Sequence, residues 1–88
     1  MADGAVNSLE EAEKFLAECR EYSRRIEDAV VFLRNSRDSV GETWQDPDFE
    51  TISGMIEDIT REASKAQQIA DEELVPHVSR KVETLKAK

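Results

Sequence analysis

The sequence predicts an all-α fold: one domain over residues 1–88, built of two long antiparallel helices that form a helical hairpin and dimerise into a four-helix bundle. Three observations carry this expectation. Apolar residues recur at alternating spacings of three and four on both sides of one break, the period of a helix face. Charged residues make up 36% and aromatics 6%, with three glycines and two prolines. That balance suits long, surface-rich helices and fits a β-sandwich or barrel poorly. The break itself is the stretch VGETWQDPDFE, residues 40–50, which combines a glycine, a proline and the single tryptophan.

Helix signals begin at Asn7-Ser8, where Ser8 and Glu11 have capping-box spacing. The first helix is expected over about residues 8–40. Its seam reads Leu9, Ala12, Leu16, Cys19, Ser23, Ile26, Val30, Leu33, Arg37 and Val40, a heptad pattern with two polar intrusions. Phe15, Tyr22 and Ala29 widen the stripe on one flank, while Glu13, Arg20, Glu27 and Arg34 make the other flank wholly charged. Gly41 stands just past the seam, where a left-handed C-cap is expected.

The turn is expected at 41–46 and the second helix at about 47–85. Asp46 is placed to cap it, Pro47 suits its first position, and Asp48 and Glu50 favour its positive end. Its seam reads Phe49, Ile52, Ile56, Ile59, Ala63, Ala66 and Ala70, then Val75, Val78, Val82 and Leu85 out of phase. Such a phase jump is a stutter. Pro76 lies at the jump and removes an N–H, so a kink is expected there.

Each apolar stripe is wider than one partner helix covers, and domains bury such faces against another layer. A second hairpin supplies that layer. The core and dimer interface are therefore assigned to Leu16, Cys19, Tyr22, Ile26, Val30, Leu33, Ile52, Ile56, Ile59, Ala63, Ala66 and Ala70. A homodimer is expected, with a heterodimer of similar hairpins as the alternative.

Composition also narrows the function classes. The formal charge of −8 repels nucleic-acid phosphates and anionic lipid, so neither is an expected partner. The longest apolar run, Ala29-Val-Val-Phe-Leu33, is far below the roughly 20 residues of a membrane span. The first twenty residues lack a basic start followed by an apolar run, so no cleavable leader is expected. A single cysteine rules out an internal disulfide framework. No catalytic constellation emerges. His77 is the only histidine, and Glu73 stands four residues before it rather than the three of a di-iron bundle motif. Cys19 falls on the seam, where a small buried thiol fits. No metal, cofactor or enzymatic activity is expected.

Gly41, Trp44, Asp46 and Phe49 form the turn motif. Val31 and Phe32 fall on the outer face near the turn, and with Trp44 they are a candidate partner patch. At these residues the chain resembles the WXG-motif family of type VII secretion, the early-secreted-antigen-like (ESX) proteins. Those are chains of similar length with two helices joined by a Trp-x-Gly turn. Here the turn reads Trp44-Gln45-Asp46, a Trp-x-Asp variant followed by the aromatic Phe49. The resemblance implies a dimeric four-helix bundle that is cytoplasmic before export and secreted by a membrane ATPase without a cleavable leader. It implies a secreted substrate or the partner of a larger helical substrate. The family's C-terminal Tyr-x-x-x-Asp/Glu signal is missing: the only tyrosine is Tyr22, and the tail is Glu83-Thr-Leu-Lys-Ala-Lys88. The competing expectation is a cytoplasmic helical adaptor or small chaperone that binds a client helix.

Overall fold

The computed structural model describes residues 2–87, with side chains from Ser8 to Ala87. Every element among the described residues is helical. α1 spans Ala2–Gly41, α2 spans Pro47–Ile69, and α3 spans Val75–Lys86. A π-helical turn, Ala70–Leu74, joins α2 to α3. α1 packs back along α2, the π turn and α3. The result is a single-layer rod with principal extents of 65 × 17 × 14 Å.

α1 starts six residues before the expected Ser8. No proline interrupts residues 2–8, so the i→i−4 ladder runs on upstream and Ser8 lies inside the helix rather than at its cap. At the other end Gly41 is the last residue of α1. No described residue, glycine included, has a positive φ, so the expected left-handed cap is absent. Gly41 serves close approach instead. A β-carbon on it would lie 2.9 Å from Cζ of Phe49, inside van der Waals contact.

The buried apolar core consists of Leu16, Cys19, Val30, Ala70 and Val82, joined by the polar Ser23 and Thr60. On α1 the expected seam holds from Leu9 to Arg37, with Ile26 and Leu33 half-buried, whereas Val40, expected to end it, is 44% exposed. On α2 the seam is rotated from the expectation. It runs through Phe49, Ser53, Ile56, Thr60, Ala63, Gln67 and Ala70, all buried or half-buried. Ile52 and Ile59, expected in the seam, are 38% and 58% exposed. Thr60 takes the place expected for Ile59 and is only 1% exposed. Its hydroxyl donates to the Ile56 carbonyl at 2.8 Å and the Glu57 carbonyl at 3.2 Å. Burial therefore leaves the Thr60 hydroxyl paired, and it is compatible with a dry layer.

The stutter is accommodated by the π turn. A regular heptad would follow Ala70 with residues 74 and 77, but Leu74 and His77 are exposed. The seam passes instead to Val75, Val78, Val82 and Leu85, which are buried or half-buried. Ala70 to Val75 is one residue longer than a regular step. The Val75 N–H accordingly donates to the Ala70 carbonyl, an i→i−5 bond. Pro76 follows as the second residue of α3, where its missing N–H interrupts the regular ladder. A kink is expected at Pro76; the structure has instead a π turn just before it, Ala70–Leu74, in which the extra residue is wound into a wider turn.

Candidate interaction face and turn

The rotated seam gives the hairpin two unlike long flanks. On one, charged and polar groups bridge the helices. Ser23 donates to the Asp71 carboxylate, Gln67 donates to Glu27 at 3.2 Å, and Arg37 donates to Glu57. Arg34 stands 4.0 Å from the same Glu57 carboxylate. The Arg37 side chain is only 15% exposed, held between Glu57 and Asp38. These bonds hold Glu57 below the usual carboxylate range, with the Arg37 hydrogen bond as the main cause.

The other flank is apolar and open. Phe15, Tyr22 and Ala29 line it from α1, and Ile52, Ile59 and Ala66 line it from α2. Each of these stands one residue before a seam position, about 100° around its helix. Phe15 is 49% exposed and Tyr22 54%. At the turn end, Leu33, Val40, Trp44, Ile52 and Ile56 line a cleft of about 190 Å³. Further along, Phe15, Cys19, Tyr22 and Leu74 line a second, of about 240 Å³. Residues assigned from sequence to one core-and-interface set therefore divide. Leu16, Cys19, Val30 and Ala70 are buried within the chain, Ile26, Leu33, Ile56, Ala63 and Ala66 are half-buried, and Tyr22, Ile52 and Ile59 are exposed.

The patch residues divide too. Phe32, 72% exposed, lies at the edge of the open flank, whereas the adjacent Val31 points about 100° away from it. Trp44 is 39% exposed and closes the turn-end cleft. Sequence reasoning did not separate the exposed flank from the buried seam, because Ile52 and Ile59 keep the same spacing as Ile56 and Ala63. The signal that could have done so is the polar series Ser53, Thr60, Gln67 at strict seven-residue spacing.

The turn is held by Asp46. Its backbone is extended (φ −138°, ψ 174°), and its Oδ1 accepts from the Phe49 N–H at 3.0 Å, capping α2. Its Oδ2 accepts from the Trp44 indole N–H at 2.6 Å. The Trp44 and Phe49 rings then pack at 5.7 Å between centroids, tilted by 48°. On the other side, the N–H groups of Thr43 and Trp44 both donate to the Val40 carbonyl, ending α1. One carboxylate thus joins the indole to the start of the second helix.

The Phe49 amide first, and then the Trp44 indole, hold Asp46 below its usual value. A lowered carboxylate stabilises the fold above its unfolded pKa of about 3.9, and that contribution is lost as pH falls through the lower folded value. Asp46→Ala is expected to lower the melting temperature by several degrees at neutral pH with helix content kept. The deficit relative to wild type should shrink in acid, as thermal melts followed by circular dichroism at several pH values will show.

The chain matches no family model, no curated protein and no solved structure. Among the described residues, no group of three or more His, Cys, Asp or Glu side chains is arranged to hold a metal ion. Among the described residues, no helix is long and apolar enough to cross a membrane. Cys19 is a buried free thiol, and His77 is exposed on α3.

Proposed function

We propose that this chain is a non-enzymatic protein–protein interaction module that works as a dimer of helical hairpins, a four-helix bundle, in type VII-like secretion. The single observation that supports this reading is the open apolar flank, which runs beside the seam from Trp44 to Phe15. The chain exposes 6585 Å² of surface. A compact monomer of 10.0 kDa exposes about 5,200 Å² by the usual size scaling. The excess, about 1,300 Å², is of the order that one partner contributes to an obligate homodimer. A covering layer of two more helices also completes the architecture that such stripes serve.

The Trp44–Asp46–Phe49 turn supports the secretion part of the reading, as the place where the chain resembles the WXG-motif proteins. In that role the module is a secreted protein or a secretion partner, cytoplasmic before export. The test is to follow the chain in its native cells. It is expected in the culture supernatant and should be lost from it when the export ATPase gene is deleted. Confinement to the cytosol in both strains, with a client helix bound, would replace this reading with a cytoplasmic adaptor or small chaperone.

A further inference from the structure

We infer that the turn-end cleft takes one bulky apolar side chain of a basic amphipathic helix belonging to a different protein. This goes beyond the dimeric reading: the occupant is not a second copy, and the site is confined to one end of the rod. Leu33 and Val40 bound the cleft along α1, about 10 Å apart at the usual helical rise, on a rod 65 Å long. The rest of the open flank, from Ile59 to Phe15, lies outside it.

Size and shape narrow the occupant. The cleft, about 190 Å³, falls below the roughly 300 Å³ at which pockets for drug-sized ligands begin. It suits a single large side chain instead. Val40, Trp44, Ile52 and Ile56 give it apolar walls. Phe32 and Met55 stand one residue before the seam positions Leu33 and Ile56, on the same open side, and are 72% and 57% exposed. The unbranched methionine adapts its shape to a partner. An apolar trough between two helices, with more apolar groups beside it, is the form that receives the apolar face of a third helix.

Charge makes that helix basic. Between Asp38 and Asp58 lie seven of the chain's 20 acidic residues and none of its 12 lysines and arginines. The nearest arginines, Arg34 and Arg37, face Glu57 and Asp38. Glu42, Asp48 and Glu50 are exposed and form no salt bridge among the described residues. Asp48 stands one residue before the seam position Phe49, on the open side with Met55. Cations on a helix seated in the cleft therefore meet carboxylates that have no cation of their own, and the acidic end also speeds encounter.

The test titrates the full-length chain with a short peptide of leucine and lysine in helical spacing, free of tryptophan. Trp44 is the single tryptophan and lines the cleft, so its fluorescence reports occupancy. The emission should shift to the blue and saturate. The same peptide with glutamate for lysine should bind at least about tenfold more weakly. Val40→Ser should weaken the leucine–lysine peptide by a similar factor, with helix content unchanged in circular dichroism, because Val40 is 44% exposed near the end of α1. Ile59→Asp, outside the cleft, should bind the peptide at least as tightly as wild type, which separates this result from the oligomeric state. No blue shift, equal binding of the two peptides, or undiminished binding to Val40→Ser would overturn the inference. Loss of binding in Ile59→Asp would overturn it too, by placing the peptide along the flank where a second copy is expected.

Discussion

Val30→Asp abolishes the folded hairpin. Val30 is 8% exposed, in the C-terminal half of α1, and faces the seam. A carboxylate there is desolvated within the seam and loses the apolar contact as well. The penalty is about 4 kcal/mol, at the severe end of single substitutions. A domain of this size has total stability of about 5–10 kcal/mol, and a single-layer hairpin sits low in that range because each residue has few neighbours. Circular dichroism should show loss of most helical signal at 37 °C and a transition with little cooperativity. Val30→Ala, which removes apolar volume without adding charge, should lower the melting temperature and keep the fold.

Ile59→Asp has the opposite profile. Ile59 is 58% exposed on the open flank, one residue from the buried Thr60. Within one hairpin the substitution is a surface change, and such changes fall within about 0.5 kcal/mol. In a dimer it puts two carboxylates into the apolar centre of the interface. The dissociation constant should rise at least about 100-fold, equivalent to about 2.7 kcal/mol. The expected product is a helical monomer. Its melting temperature no longer depends on protein concentration, because dimerisation no longer stabilises the folded state. Loss of all helical signal in Ile59→Asp would mean that the flank belongs to the fold of the single chain.

These two substitutions also mark where sequence and structure part. The helical class, the turn and the α1 seam were legible because their signals are local. Spacings of three and four, an Asp-Pro helix start and a break that carries the single tryptophan depend on neighbours a few residues away. The α2 seam was not, because α2 carries two candidate stripes one residue apart. Ile52, Ile59 and Ala66 compete with Ser53, Thr60 and Gln67, and hydrophobicity alone picks the former. The structure selects the polar set because Thr60 satisfies its hydroxyl within its own helix and Gln67 reaches Glu27 across the hairpin. Cross-helix bonds of that kind have no local signature. The same holds at the stutter, where the sequence showed an irregularity at Pro76 but not the π turn that absorbs it. At the turn, Asp46 was legible as a cap, while its bond to the Trp44 indole emerged only from the folded geometry.

The most direct measurement is sedimentation equilibrium of the wild-type chain and Ile59→Asp at micromolar concentration. The wild type should sediment at twice the 10.0 kDa chain mass and Ile59→Asp at the single-chain mass, both fully helical. A wild-type chain that is folded, stable and monomeric across the concentration range would contradict the idea that the apolar flank exists to be covered.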